Sequence, residues 1–432
     1  MSDFVEDERL TMTSLVGSER AVHDTTDWLR TGLVDPTEPG FLSDPYARYA
    51  IAREVAPVQQ HSNGVYMLFA YDDVKRALAD KSLSSSEQYA LEAPRNMRIK
   101  AAGGSDAYLL RPSLSKLDPP DHLALRKLLA RPFTPRAIKR YDARAKEIVD
   151  ELLADHGRGS EIELVTEVAH PLPIRLVCEI FGIPVPADTD TMFEWTRKGL
   201  NLLDPFLTAE QTSDYISAQR DFSAHLQDVI AWKRNNLGDD ILSDFISAGD
   251  EGEIIGPDQV AATVQTLVIA GLDTTVNQVG LTMNALMGHR DQWERLVDDR
   301  ALLDHAVEEV LRYEPTAQLM IRIAPEDYAV GDAVIPAGNH IVTWLASANR
   351  DETRFGPNAD RLDWSRSNVR DHITFGHGAH ACLGAWLARL EIKTILNALI
   401  DKAPKTELVD GGVTWGGTAF IRGVSELRLN LF

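Results

Sequence analysis

Cysteine is nearly absent from this chain. Its 432 residues hold two, Cys178 and Cys382, too few for a disulfide framework. That scarcity fits a reducing compartment, and a cytoplasmic location is expected. Long hydrophobic runs are missing as well. The best, at 267–272, is far too short to cross a bilayer, so no membrane partner is expected. The opening residues, Met1 to Glu8, are acidic and lack the apolar centre of a signal peptide. Basic residues are in deficit: 44 Lys and Arg face 65 Asp and Glu, for a net charge of −21. That balance argues against a broad phosphate-binding face, and no nucleic acid partner is expected. Repeats, low-complexity blocks and linker-like stretches are also lacking. What is present is a composition 44% apolar and 25% charged, which rules out a mainly disordered chain.

Residues 1–40 are polar, with glycine and proline near their end, and read as a loosely ordered lead-in. One large domain over 41–432 is expected to follow, mainly α with a minor β region. A helix is expected over 46–55, then a strand pair around Gln59 and 65–69 turned at Ser62-Asn63-Gly64. Asp72 would cap a short helix over 73–79. Residues 86–117 carry little apolar periodicity and read as a long loop of the kind that forms lids or binding segments. Helical patterns then dominate, at 122–131, 137–155, 170–181, 190–203, 212–236, 258–289 and 301–313. Short strands are expected at 320–323, 328–330, 333–335 and 340–345, a last helix over 383–400, and closing hairpins over 405–432.

The sharpest local feature is Phe375-Gly376-His377-Gly378-Ala379-His380-Ala381-Cys382-Leu383-Gly384. Cys382 stands where a glycine-punctuated loop enters an apolar helix. The positive end of a helix dipole favours thiolate, the metal-binding form. Glycines at 376, 378 and 384 let the backbone turn sharply and approach a flat ligand closely. Phe375 would shield one side of the sulfur. A lone cysteine is more often a small buried hydrophobe, and Cys178 in Leu176-Val177-Cys178-Glu179-Ile180 reads that way. Zinc held with His377 and His380 is a weaker reading, because no second cysteine lies nearby.

Taken at Phe375, Gly378, His380, Cys382, Gly384 and Ala388, the string closely resembles the haem-binding loop of the cytochromes P450, the haem-thiolate monooxygenases. The resemblance extends over roughly residues 45–432, nearly the whole chain. It implies a P450-type helical fold with haem b as cofactor and Cys382 as the axial ligand of its iron. Phe375, Gly376, His380 and Gly384 would surround the cofactor. Thiolate ligation pushes electron density onto the iron and favours O–O cleavage.

Three further motifs belong to this resemblance. Ala270-Gly271-Leu272-Asp273-Thr274-Thr275 lies within the 258–289 pattern. Gly271 and hydroxyls bonded to backbone carbonyls would open the helix there. On its own residues the string is equally a polar notch in a helix bundle. The resemblance implies that Thr274 hydrogen-bonds the reacting dioxygen and that Asp273 relays protons. Ala270 would lie against the haem, and Leu267, Val268 and Ala270 would face the substrate. Glu309-Val310-Leu311-Arg312 sets a Glu and an Arg on one helix face. Alone, such a pair is a solvated bridge; in the family it is a buried structural tie to the segment here at 348–363. Leu362 stands where the family often has an aromatic residue. Last, His122 and Arg126, four apart on one helix, are implied with Arg322 and His380 as partners of the haem propionates.

The stretch 126–146 carries a local charge of +7. It is either a solvated helix face or a dock for an acidic electron carrier. The resemblance implies a soluble, monomeric monooxygenase that inserts one atom of dioxygen into a small, mainly apolar organic substrate. No flavin- or nicotinamide-binding segment is visible. NAD(P)H would therefore act only indirectly, through a reductase and a ferredoxin-type or flavodoxin-type carrier. Substrate contacts are expected in the 86–117 loop, at Trp195, Leu202, Leu203 and Phe206, at Thr316 and Leu319 within 316–321, and at Thr418, Ala419 and Phe420. A peroxide-driven haem enzyme is disfavoured by the Asp273-Thr274 pair, and a gas sensor or haem carrier by the lack of a visible output domain.

Overall fold

The computed structural model describes residues 34–38, 40–91, 97, 101, 113–251 and 257–432. Most of the expected lead-in and of the 86–117 loop lies outside these residues. Val34, within the former, is buried with Phe41, Tyr49 and Trp344, so core packing begins before residue 41.

Helices α1 (Tyr46–Val55), α2 (Tyr71–Ala79), α3 (Asp121–Ala130), α4 (Asp142–Leu152), α5 (Pro171–Phe181) and α6 (Thr189–Asn201) lead into α7 (Ala209–Arg234) and α8 (Ile241–Glu251). Then come α9 (Pro257–Gly288), α10 (Arg290–Asp298), α11 (Leu303–Tyr313) and α12 (Ala385–Lys402). The strands are β1 (Val58–Gln60), β2 (Tyr66–Leu68), β3 (Glu161–Glu163), β4 (Met320–Ile323), β5 (Tyr328–Val330), β6 (Ala333–Ile335), β7 (His340–Thr343), β8 (Glu407–Gly417) and β9 (Arg422–Asn430). They form sheets in the orders β1-β2-β7-β4, β3-β9-β8 and β5-β6. In the first sheet β2 runs parallel to β7, with Tyr66 opposite Ile341.

Local chemistry explains the main joints. The β1–β2 turn uses Gly64 at φ +92°, and the Asn63 side chain accepts the Val65 amide. Helix α7 opens on a reciprocal capping box between Thr208 and Gln211. Helix α9 buries Val264, Val268, Leu272, Val276, Val279 and Met283, and threads between α5, α6, α7, α8, α12 and β9. A helix apolar over most of its circumference belongs at the centre of a bundle.

Some expected elements differ. The single helix over 137–155 is instead a one-turn helix at Pro135–Ile138, a 3-10 turn at Lys139–Tyr141 and then α4. Its start is set earlier by Pro135 at the first turn and by the Thr134 hydroxyl, which accepts the Ala137 amide. Helices α8 and α10 were not expected. The first buries Ile241, Leu242, Phe245 and Ile246, the second Trp293 and Leu296; both are short but amphipathic, and that spacing was a signal the sequence carried. Strand β7 stops at Thr343, where the buried one-turn helix Leu345–Ala348 begins.

Glu309 and Arg312 on α11 are fully buried, not a solvated bridge. Arg312 Nε and Nη2 donate to the two Glu309 oxygens at 2.7 and 2.8 Å. The other guanidinium bonds go to the carbonyls of Asn349, Ala359 and Arg361. Arg366 Nε and the Asp363 amide donate to Glu309 as well. The irregular chain from 349 to 366 is therefore wrapped around one ion pair. Leu362 is buried beside it in the core. Asn349 carries the tie onward, accepting the Ile373 amide and donating to the Thr374 hydroxyl, which donates to the Leu311 carbonyl. The cysteine loop is thus seated on α11. No described helix is long and apolar enough to cross a membrane.

Candidate active site

A cavity of about 670 Å³ lies between α9, α12, β4, the cysteine loop and the turn joining β8 to β9. Both described ends of the 86–117 loop border it. There Glu87 accepts from Lys116 at 2.8 Å and pairs with His340 at 3.2 Å, so the base of the loop is cinched by charge.

The Cys382 amide donates to the Phe375 carbonyl at 2.7 Å, closing the cysteine loop. Gly378 sits at φ +76°, and a Cβ there would meet the Ala79 Cα at 2.9 Å. Any side chain would push α2 off the loop. Gly376, expected against the cofactor, is absent from the cavity wall. Its φ of +72° makes the turn that brings Phe375 and Cys382 round, so its part is conformational.

Cys382 is open to the cavity and otherwise enclosed by protein. Burial raises its thiol above the ordinary range, against the pull of the Gly384 amide, Arg126 and Arg389. The expected thiolate-favouring field of α12 is therefore outweighed: the sulfur stands three residues before the helix starts, in low dielectric. A cation on the cavity side reverses that balance.

Four basic groups border the same cavity: His122, Arg126, Arg322 and His380. The two imidazoles lie 4.0 Å apart, and neither ring nitrogen of His122 has a partner. Burial, reinforced by Arg322, His122 and Arg126, pushes His380 down to about 3. Burial takes Arg322 down to about 10, with Asp118 opposing. Such mutual repulsion in a buried place calls for anionic charge. The donor set fits haem: one sulfur for iron, and two guanidinium groups with two imidazole donors for two carboxylates. Zinc has no ligand set, since among the described residues no three His, Cys, Asp or Glu side chains are grouped to hold a metal ion.

A family profile, Cytochrome P450, matches residues 55–402. The chain belongs to the cytochrome P450 family. It is 33% identical over 398 residues to the vitamin D(3) 25-hydroxylase of Pseudonocardia autotrophica, covering 90% of this chain and 94% of that protein. It is 34% identical over 402 residues to the cytochrome P450 monooxygenase PikC of Streptomyces venezuelae, covering 90% and 91%. Among solved structures it resembles CxnD, a P450 enzyme for C–S bond formation in chuangxinmycin biosynthesis, with a TM-score of 0.82, 30% identity and coverage of 91% and 96%. The chain is accordingly a monooxygenase that uses haem b and dioxygen, with electrons reaching it from NAD(P)H through partner proteins.

Within this P450, Leu267, Ala270, Thr274, Thr316 and Phe420 line the cavity, as do Leu202 and Leu203. Val268 does not. One residue on from Leu267 rotates it about 100° round the helix, and it is fully buried in the core instead. Leu319 is also turned away, packed with Phe41 and Trp344, while its neighbour Met320 takes the cavity side. Trp195 stacks on Phe222, and Phe206 on Trp344, so neither reaches the wall. Gln219 and Gln265 do line it, joined by a 2.7 Å amide bond. Gln265, Thr266 and Ile269 lie on the stripe of Ala262 and Ala270, and extending that helical spacing would have found them.

Helix α9 runs unbroken through its acid–alcohol notch, contrary to the expected opening. Thr274 Oγ1 donates to the Ala270 carbonyl at 2.7 Å, keeping its hydroxyl within the ladder. Asp273 is absent from the cavity wall, and neither carboxyl oxygen has a hydrogen-bond partner. Burial raises it to about 7, with Arg197 and Asn277 opposing. A carboxyl held protonated in the fold loses stability as pH climbs from the ordinary carboxylate range through about 7. Asp273→Asn should therefore be more stable than the parent above pH 7, by roughly 2–4 kcal/mol, with the gap shrinking towards pH 4. Urea midpoints across that range check it; a gap independent of pH would contradict the assignment.

Proposed function

We propose that this P450 acts as a monomer and inserts one atom of dioxygen into a small, mainly apolar organic molecule. Its electrons would come from a separate ferredoxin-type or flavodoxin-type carrier with its reductase. The observation carrying this reading is the convergence of Cys382, four basic groups, two of them buried, and Thr274 on one largely apolar cavity.

In this reading Cys382 ligates the iron, with Phe375, Gly384 and Ala270 against the ring. His122, Arg126, Arg322 and His380 hold the carboxylates. Bound haem supplies the centre at which dioxygen is reduced and cleaved. Thr274 keeps a hydroxyl proton at the cavity wall. Asp273 retains its proton up to about pH 7 and serves as the donor behind it. Leu267, Ile269, Met320 and Phe420 exclude water and favour apolar substrate surface. The Gln219–Gln265 pair offers one polar station. Thr274→Ala should retain haem yet release several-fold more hydrogen peroxide per dioxygen consumed. An unchanged peroxide yield would reject the Thr274 role.

Arg131, Arg136, Lys139 and Arg140 are exposed in the basic stretch that packs against α12, the helix leading from Cys382. An acidic carrier docked there would approach the haem from the cysteine side. Reversing Arg131 and Arg140 to Glu should raise the KM for the carrier roughly tenfold at low ionic strength, and less in salt. Carrier kinetics insensitive to both changes would discard this surface. A library screened for substrate-induced spin-state shifts identifies the substrate class.

A further inference from the structure

Gln219 on α7 and Gln265 on α9 line the cavity and are almost fully buried. A run of hydrogen bonds locks both amides into one orientation. The Trp195 carbonyl on α6 can only accept, and Gln219 Nε2 donates to it at 2.7 Å. Gln219 Oε1 therefore faces Gln265, whose Nε2 donates to it at 2.7 Å. Gln265 Oε1 in turn accepts the Ser223 hydroxyl at 3.2 Å. A primary amide carries two N–H groups. Among the described residues each glutamine uses one, so each has a second N–H to offer in a buried wall. A donor left unmet there is costly.

The neighbouring helix makes room for this arrangement. Gly199 on α6 also lines the cavity. A Cβ there would collide with Gln219 Nε2 and lie 2.7 Å from its Cδ. Glycine weakens a helix interior, and this one opens the slot that the Gln219 amide fills. Elsewhere on the wall, polar groups are turned to the main chain. The Thr266 and Thr316 hydroxyls donate to the carbonyls of Ala262 and Arg422, and Gln278 holds the Glu314 carbonyl and the Thr316 amide. The cation next to Gly199 is spent, since Lys198 pairs with Glu194 and Asp214. At the loop edge of the cavity Lys116 pairs with Glu87. The glutamine pair is thus a neutral donor. Nine residues of α9 separate Gln265 from Thr274, a rise of about 13 Å.

We propose that Gln219 and Gln265 together select the substrate, donating their second N–H groups to a carbonyl oxygen at one end of an elongated apolar molecule whose far end lies against Thr274. A carbonyl oxygen has two lone pairs and brings no hydrogen of its own, so it matches two donors. A carboxylate would be buried at this pair without a partner cation. A hydrocarbon would leave both N–H groups unmet. The two glutamines are specificity-determining, not catalytic. They decide that a ketone, ester or amide is taken and how far from its carbonyl the oxygen atom enters. The inference rests on the reading that oxidation takes place beside Thr274.

The test titrates the full-chain holoenzyme with three rigid probes of one frame, 4-acetylbiphenyl, its alcohol 1-(biphenyl-4-yl)ethanol and 4-ethylbiphenyl, following the haem spin-state shift. The ketone should bind roughly tenfold more tightly than 4-ethylbiphenyl. In Gln219→Met and in Gln265→Met that preference should vanish, while 4-ethylbiphenyl binds no more weakly than in the parent. Gln219→Asn and Gln265→Asn replace a methionine variant that loses haem. Gly199→Ala, which keeps both glutamines but displaces the Gln219 amide, should lose the preference as well. On turnover, oxygen should enter the ring remote from the carbonyl. Equal affinities for ketone and 4-ethylbiphenyl, no shift with any probe, a preference surviving both glutamine replacements, tighter binding of the alcohol than of the ketone, or oxidation beside the carbonyl would each overturn the proposal. Parent enzyme without a thiolate-type haem spectrum would instead overturn the cofactor reading.

Discussion

Cys382→Ser should yield a folded protein whose haem has lost the absorption and magnetic signature of thiolate ligation, and whose turnover is abolished. The loop is closed by the backbone bond from the Cys382 amide to the Phe375 carbonyl, which serine keeps. Gly376 and Gly378 still make the turn. What changes is one donor atom. A serine hydroxyl is far harder to ionise than a thiol, and the Gly384 amide and Arg126 that assist the sulfur cannot make up the difference. Loss of an outer-shell partner costs about 10–100-fold in a metal site, and loss of the ligand itself should exceed that. The reduced carbon monoxide complex provides the readout. A red-shifted band identical to the parent's would remove Cys382 from the iron.

Arg312→Ala should cost about 3–5 kcal/mol, the usual penalty for stripping one partner from a buried pair. Domains hold only about 5–15 kcal/mol in total. The variant should therefore express poorly and bind little haem. The reason is specific. Arg312 satisfies three carbonyls of the chain between 349 and 361 as well as both Glu309 oxygens. Arg366 alone would be left to neutralise Glu309. Arg312→Lys keeps the charge but not the planar fork, and should fall between. Joint replacement by Glu309→Leu, Arg312→Met and Arg366→Met leaves no stranded charge, since Arg366 also relies on Glu309, and should cost less than Arg312→Ala. Urea unfolding ranks the four proteins; a parent-like midpoint for Arg312→Ala would show the pair to be dispensable.

These two sites were also the most legible in the sequence. Cys382 lies in a local string whose spacing needs no knowledge of the fold. Glu309 and Arg312 are three apart on one helix; their spacing alone reads as a solvated bridge, and the resemblance implied the burial that the structure shows. Residues whose role depends on rotation about an element were harder. Val268 and Leu319 look as apolar as Leu267 and Met320, yet a step of one residue turns each into the core. Gly376 belongs to the cysteine string but acts through its φ. Asp273 stands beside Thr274 in sequence, though its carboxyl lies off the wall that Thr274 lines. Glu391 on α12 is fully buried, yet an acid in an amphipathic helix reads as solvent-facing until the packing of α9 over it is known.

Strand β2 lies beside β7, and β3 beside β9, so each of these sheets joins early chain to late chain. The basic quartet is split in the same way, His122 and Arg126 preceding Arg322 and His380 by about half the polypeptide. A ribosome releasing this protein from its N-terminus must therefore expose nearly all of it before either sheet can close. Pairings so distant along the chain also slow folding. Pigment capture is consequently a late step in biogenesis. Nascent chains halted before Cys382 should emerge colourless and in need of chaperones.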